Sequence, residues 1–200
     1  MQPTDEALIE RSKNGDLEAF EALVRRYENK VYTVAYRFLG NHADASDLAQ
    51  ETFLRLYQAL PNFRGESSFM TWLYRITANA CRDEIRRRQR YNVVSLDGET
   101  GANNSLVISQ AQSGILSPED AVEKKELNEM VQKILNKLTE EHRLVLVMRE
   151  IQGMSYEEIA LFLDCSLGTV KSRLSRARQA FREIFIEQRE LFMRNSRLAE

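Results

Sequence analysis

Residues 17 to 39 read LEAFEALVRRYENKVYTVAYRFL, and within them Phe20, Leu23, Tyr27, Val31, Val34 and Phe38 recur at steps of three and four. That period puts all six on one stripe of a helix, with the charged residues on the other side. A stripe this long and free of proline or glycine cannot sit in a strand, where apolar residues alternate. The rest of the chain has the same texture: three prolines, eight glycines, abundant Leu, Ala, Glu and Arg, and no long Val/Ile/Thr alternation. The expected fold is all-helical.

The stops and starts divide the chain. Thr4 is placed to cap a first short helix that ends at Asn14-Gly15, and Asp16 to cap the second, which ends at Gly40-Asn41. A third helix is expected from near Asp44 to Leu60, where Pro61 stops it, with Ala49, Phe53, Leu56 and Leu60 as its buried stripe. A fourth starts near Ser67 or Ser68 and continues to about Arg90. Residues 92 to 118 then hold three of the eight glycines, no Lys or Arg and no helical period, and read as a flexible linker. From Pro118, placed for a first helical turn, Val122, Leu127, Val131, Ile134 and Leu138 define the next helix; Thr139 opens another that stops at Gly153. The organisation expected is two small helical domains: 1–91, a linker at 92–117, 118–187, and a tail at 188–200.

The net charge of −2 conceals a segregation. Residues 167 to 182 hold Lys171, Arg173, Arg176, Arg178 and Arg182 and no acid, a local +5. Residues 82 to 90 hold five arginines against Asp83 and Glu84, a local +3. Cys81 and Cys165 form no CxxC pair, the N-terminal MQPTDEALIE has no signal-peptide character, and the aliphatic run LVLVM at 144–148 is too short to cross a bilayer. A cytoplasmic protein is expected.

In SYEEIALFLDCSLGTVKSRLSRAR, Ser155 and Glu158 have the capping-box spacing, so a short helix opens there with Ile159, Ala160 and Leu163 facing inward. Asp164-Cys165-Ser166 makes a tight turn, and Ser166 caps a second helix whose buried stripe is Val170, Leu174, Ala177 and Phe181. Gly168, Thr169, Lys171, Ser172, Arg173, Ser175 and Arg176 are left on the outside of its first turns, the part a recognition helix inserts into the major groove. Lys171 with Arg173 or Arg176 suits guanine edges or phosphates, Thr169 and Ser172 suit base edges or backbone, and Gly168 permits close approach.

The stretch RGESSFMTWLYRITANACRDEIRRRQR poses a different problem. Projected at about 100° per residue, Phe69, Leu73, Ile76 and Ala80 fall on the core side. Arg75, Asn79, Arg82 and Arg86 line another side, with Trp72 on nearly the same azimuth. A cationic track beside aromatics is the composition that holds unpaired strands, where stacking contributes roughly 1 to 3 kcal/mol per base. The loop FRGESS, Phe63 to Ser68, could form a pocket for an extruded base. Phe69 and Tyr74 are equally compatible with core packing. On the third helix, Asp47, Glu51, Leu54 and Gln58, stepping four, three and four, share an outer face with Gln50 and Arg55; a leucine among acids and amides marks a protein-docking surface.

Taken together, DASDLAQETFLRLYQALPNFRGESSFMTWLYRITANACRDEIRRR followed after the linker by LNKLTEEHRLVLVMREIQGMSYEEIALFLDCSLGTVKSRLSRAR resembles the extracytoplasmic-function (ECF) class of bacterial RNA polymerase sigma factors, of the sigma-70 family. The resemblance covers nearly the whole chain and rests on two motifs and their spacing. It implies a transcription-initiation factor, not an enzyme, with no cofactor, acting with core polymerase (the beta-prime clamp and the beta subunit). Its DNA partner is promoter DNA, as duplex and as non-template single strand. By position, Asp47, Gln50, Glu51, Leu54, Arg55 and Gln58 fall in the segment that docks on the polymerase clamp. Phe63, Arg64, Ser67, Phe69, Trp72, Tyr74, Arg75, Asn79, Arg82 and Arg86 fall in the region that melts and reads the minus-ten element. Ser166, Gly168, Thr169, Lys171, Ser172, Arg173 and Arg176 fall in the minus-thirty-five reader. The linker is expected to thread towards the RNA exit path, and an anti-sigma factor, often membrane-attached in this family, is the expected regulator.

A dimeric helix-turn-helix regulator would account for the C-terminal half but leaves Arg75, Asn79 and the outer stripe of the third helix without a role. An adaptor that binds polymerase without DNA leaves the basic recognition helix idle. An enzyme has little support: His42 and His142 lie in different expected domains, and no metal spacing, phosphate-cradling loop or nucleophile-base pair occurs.

Overall fold

The structure, a computed structural model, describes residues 3–94 and 118–198. Among the described residues it is helical, without a strand, and the chain divides into two compact units, one up to residue 104 and one from 105 on. Most of the expected linker lies outside the described residues.

The first unit consists of α1 (Asp5–Lys13), α2 (Leu17–Leu39), α3 (His42–Ala59), a 3-10 turn at Leu60–Asn62 and α4 (Phe69–Val94). Each boundary has a local cause. Thr4 Oγ1 accepts from the Ala7 amide and Asp16 from the Ala19 amide; Asn41 accepts from the Ala43 and Asp44 amides at the start of α3. Gly40 ends α2 with φ +71°, a left-handed conformation that suits glycine. Ser68 caps α4 by accepting from the Thr71 amide at 3.1 Å. The third helix thus begins two residues before the expected Asp44, and the fourth reaches Val94, past the expected Arg90.

The stripe on α2 is the centre of this unit. Leu23, Val31, Val34, Ala35 and Phe38 are fully buried, and α1, α3 and α4 all pack against α2. Ala49, Phe53 and Leu56 of α3, Leu60 of the 3-10 turn and Leu73 of α4 complete the core. Buried hydroxyls are satisfied within their own helices: Thr52 donates to Leu48 O at 2.8 Å and Thr77 to Leu73 O at 2.9 Å. At the outer end Asp5 accepts from both Arg26 and the Tyr27 hydroxyl, which fastens α1 to α2. Burial first, and then the Asp5 carboxylate, push the Tyr27 phenol above its ordinary value.

The second unit contains α5 (Pro118–Lys137), α6 (Glu140–Leu146), a π-wound segment at Val147–Ile151, α7 (Tyr156–Leu163) and α8 (Leu167–Leu198). Its core is built by Ile134, Leu135, Leu144, Val145, Val147, Met148, Ile159, Val170, Leu174 and Ala177. Of the stripe expected for this helix, Ile134 and Leu138, which directly follows the end of α5, are buried and Val131 is half-buried, whereas Leu127 is 58% exposed. On α7, Ile159 is buried, but Phe162 is the other fully inward side chain, while Ala160 and Leu163 are half-buried. The capping box is present in full: Ser155 Oγ accepts from the Glu158 amide and Glu158 from the Ser155 amide. No helix among the described residues is long and apolar enough to cross a membrane.

Leu23 has no exposed surface, so Leu23→Ala is expected to lower the stability of the first unit by about 2–5 kcal/mol. Urea unfolding followed by a probe in each unit checks this, with the second unit's transition unmoved.

Candidate nucleic-acid and protein interfaces

With one face of α4 against α2 and α3, the opposite face is fixed. Arg75, Asn79 and Arg86 are exposed on it, and Arg82 is half-buried. At its N-terminal end the loop after the 3-10 turn folds back, with Gly65 at φ +74°. This brings the Phe63 ring to 4.7 Å from the Trp72 ring, tilted by 34°. Both aromatics are half-buried, so an edge of the pair remains accessible beside Arg75. Lys13 Nζ lies 5.8 Å from the centre of Phe63, and Arg64 is exposed near Glu66. Ser67 is half-buried, its hydroxyl 3.5 Å from Ser68 O.

Two of the residues grouped with this surface belong to the core instead. Phe69 is 6% exposed because it is the first residue of α4 and its ring stands edge-on to Tyr27 of α2 and to Phe63. Tyr74 is 1% exposed, and burial raises its phenol to about 12. Tyr74 points inward because it lies about 160° round the helix from Trp72, on the side that meets the other helices. Neither ring is available to stack on a base. Phe69, with its ring centre 5.9 Å from Phe63 and 6.1 Å from Trp72, supports that pair from beneath.

The outer face of α3 is as the spacing requires. Asp47, Gln50, Glu51 and Gln58 are exposed, and Leu54 is 66% exposed among them. Tyr57 joins it, 41% exposed with its ring edge-on to Phe20 at 4.9 Å. It was not anticipated from the sequence, although its step of three from Leu54 would have placed it there. Arg55 stands apart from this set. Its Nε and Nη2 donate to Glu51 Oε1 at 3.1 and 2.6 Å, and its Nη1 donates to Asp83 of α4 at 2.9 Å. Hydrogen bonding to Asp83 first, and to Glu51 next, holds this guanidinium above its ordinary pKa. A second arginine makes the same kind of clasp further along, where Arg88 binds Asp44 of α3 at 2.8 Å and Glu84 of its own helix.

In the second unit Ser166 Oγ accepts from the Thr169 amide at 3.1 Å and lies 2.9 Å from the Thr169 hydroxyl. These two residues therefore form the helix cap and lie half-exposed or exposed at its entry. A Cβ built at Gly168 would meet only Ser166 Oγ, at 3.6 Å, so the fold itself tolerates a side chain there and the free space faces outward. Lys171, Ser172 and Arg176 are exposed and Arg173 is half-buried. Ser172 donates to Thr169 O and Arg176 Nε to Ser172 O, which aligns both along the first turns. Arg178, counted above in the local +5, is turned away: Nε and Nη2 donate to Glu150 at 3.0 and 2.6 Å. Arg149 packs over the Tyr156 ring at 4.9 Å and donates to Met154 O, so the π-wound segment, α7 and α8 are laced together. No cluster of His, Cys, Asp or Glu suited to a metal occurs among the described residues.

A capped short helix, a turn through left-handed Asp164, and a second helix free of acids over residues 167–182 define a helix-turn-helix DNA-binding protein. The sigma-70 region 2 model matches residues 23–91 and the sigma-70 region 4 model matches residues 128–181. The chain is 39% identical to the RNA polymerase sigma-H factor of Pseudomonas aeruginosa over 90% of its length and 92% of that protein. It is equally 39% identical to the ECF RNA polymerase sigma-E factor of Escherichia coli, over 90% of this chain and 93% of that one. Among solved structures it resembles the sigma factor RpoE of Bartonella quintana, crystallised with the anti-sigma factor NepR. That likeness has a TM-score of 0.62 and 28% identity, and covers 84% of this chain and 96% of that one. The chain belongs to the ECF class of the sigma-70 family of RNA polymerase sigma factors, which are transcription-initiation factors and not enzymes.

The Glu84 carboxyl is held below its ordinary value: burial pushes it up, and hydrogen bonds from Arg87 and Arg88 outweigh that. A depressed folded value means stability that is complete above the ordinary 4.5 and lost as the pH falls through the folded value. Glu84→Gln is expected to flatten that acid-side loss in urea midpoints taken between about pH 6 and pH 3.

Arg178 and Lys171 should separate by salt dependence on a minus-thirty-five duplex bound by holoenzyme. Lys171→Ala is expected to reduce the slope of log K against log salt by about 0.9. Arg178→Ala should leave the slope alone and lower the melting temperature of the second unit.

Proposed function

We propose that this chain docks on bacterial core RNA polymerase through the outer face of α3 and directs initiation by reading two promoter elements, one with each unit. Asp47, Gln50, Glu51, Leu54 and Gln58 meet the beta-prime clamp, with Leu54 as the apolar anchor inside a polar rim. The Phe63/Trp72 edge, with Arg64, Ser67, Arg75, Asn79, Arg82 and Arg86, receives the unpaired non-template strand of the minus-ten element. Gly168, Thr169, Lys171, Ser172, Arg173 and Arg176, behind the Ser166 cap, enter the major groove of the minus-thirty-five element. The second unit also meets the polymerase beta subunit. The functional domains are 1–91 and 118–187, joined by 92–117, with 188–200 as a tail. The protein acts in the cytoplasm in a stress or envelope response, and an anti-sigma factor covers its docking surface.

One observation carries this reading. A single small unit presents an exposed leucine among acids and amides on α3 and a basic, asparagine-bearing face on the adjacent α4. A dimeric duplex-binding regulator has use for neither. The relatives' sigma-factor names and the Bartonella complex with an anti-sigma factor support the same assignment.

Run-off transcription with bacterial core polymerase and a pool of promoter fragments tests it. The intact chain should give transcripts from defined starts. Glu51→Ala with Leu54→Ala should abolish them through loss of at least about 2 kcal/mol of polymerase binding, near thirtyfold in affinity. Arg75→Ala with Asn79→Ala should keep polymerase binding and lose open complexes, detected by permanganate reactivity of unpaired thymines. A sharp duplex footprint without polymerase, and no transcript, would replace this reading with the dimeric regulator.

A further inference from the structure

Arg55 faces out of α3 in the middle of the proposed docking surface, yet its guanidinium is already committed. Three of its hydrogen bonds go to carboxylates, two to Glu51 on its own helix and one across to Asp83 on α4. Asp83 belongs to the same helix as Arg75, Asn79 and Arg86, and it sits one turn beyond Asn79 at the edge of the face they form. In the sequence Asp83 and Glu84 are the two acids interrupting a run of five arginines at 82–90. Both are carboxylates that bind an arginine at the seam between α3 and α4: Asp83 binds Arg55 of α3, and Glu84 binds Arg88 of its own helix, which also binds Asp44 of α3. The two helices are therefore pinned at two levels along their shared seam.

We propose that Arg55 is a positioning residue for the minus-ten helix: through Asp83 it holds the DNA face of α4 in fixed register with the docking face of α3, and it does not itself bind polymerase. The proposal rests on the functional reading above. Its physical content is geometric. Glu51 fixes the Arg55 fork from one side, which leaves Nη1 aimed at Asp83 and little of its rotamer freedom to lose. Each such half-exposed pair contributes modestly to stability, so the expected consequence of removing it is a small displacement of Asn79 and Arg75 relative to the docked clamp, without unfolding. A site that must capture a base is sensitive to displacements of that size.

The experiment uses the full-length chain and assembled holoenzyme with four changes: Arg55→Met, Asp83→Asn, the exchange Arg55→Asp with Asp83→Arg, and Leu54→Ala as the docking reference. Arg75→Ala with Asn79→Ala serves as the strand reference. Core affinity is read by competition for polymerase, and strand capture by holoenzyme binding to a single-stranded minus-ten oligonucleotide. Arg55→Met and Asp83→Asn should each keep core affinity and thermal midpoint while weakening strand capture about threefold to fivefold, and the exchange should restore most of it. Three outcomes overturn the proposal. Loss of core affinity in Arg55→Met to the extent seen in Leu54→Ala, with no rescue by the exchange, makes Arg55 a direct polymerase contact. Strand capture unchanged in both single variants, while the Arg75/Asn79 reference loses it, removes the positioning role. If that reference also keeps strand capture, the functional reading itself fails and the proposal with it.

Discussion

The burial of the α2 stripe organises the first unit, because every other helix there is placed by what it covers. α1, α3 and α4 each give one face to α2, and Leu23, Val31 and Val34 are sealed completely. Once α3 commits Ala49, Phe53 and Leu56 to that core, its 3.6-residue period leaves Asp47, Glu51, Leu54 and Gln58 outside. Once α4 commits Leu73, Tyr74, Thr77 and Cys81, Arg75 and Asn79 must face water. The two candidate surfaces are thus the reverse sides of one hydrophobic packing problem. Placing them on helices rather than loops gives each a fixed spacing.

The second unit solves a similar problem with fewer residues, and part of its charge serves to hold it together. A short α7 offers only Ile159 and Phe162 to the core. The Arg178–Glu150 pair and the Arg149–Tyr156 contact tie the π-wound segment to both helices of the motif. The capping box stabilises the entry of α7, and a positive φ of 49° at Asp164 turns the chain within two residues of the next cap. Of the five cations in residues 167–182, Arg178 is structural, and Lys171, Arg173 and Arg176 remain on the side where a groove would lie.

What could be read from the sequence was whatever depends on local chemistry and on period. Thr4, Asp16, Ser155 and Ser166 cap where their spacing places them, Gly40 and Gly153 take left-handed conformations at helix ends, and the Ala49–Leu60 stripe is buried, as are Val170, Leu174 and Ala177, with Phe181 at the end of that stripe half-buried. What could not be read depends on partners distant in sequence. Phe69 and Trp72 are both aromatic and three residues apart, but only the position of Tyr27 and Phe63 decides that Phe69 goes inward and Trp72 stays at the rim. Leu127 fits the α5 stripe by spacing and is exposed all the same. Arg55 looked like one more polar member of the α3 face, because nothing local reveals that Asp83, 28 residues later, lies opposite it.

The same long-range pairing explains how an acidic chain, of net charge −2, can present surfaces suited to DNA. Acids distributed at random would cancel the field of nearby cations, since partners within a few ångströms dominate over the total charge. Here Asp44, Glu51, Asp83, Glu84 and Glu150 are all bound to arginines inside their own units. Arg75, Lys171 and Arg173 make no ion pair among the described residues and face water at the positions that would meet a strand or a groove. The pairing stabilises each unit and at the same time sorts the charges. A cation bound to a carboxylate releases few counterions on meeting phosphate, whereas an unpaired one releases its full share. Electrostatic attraction is thereby confined to the few side chains whose helix positions were already fixed by the buried stripes.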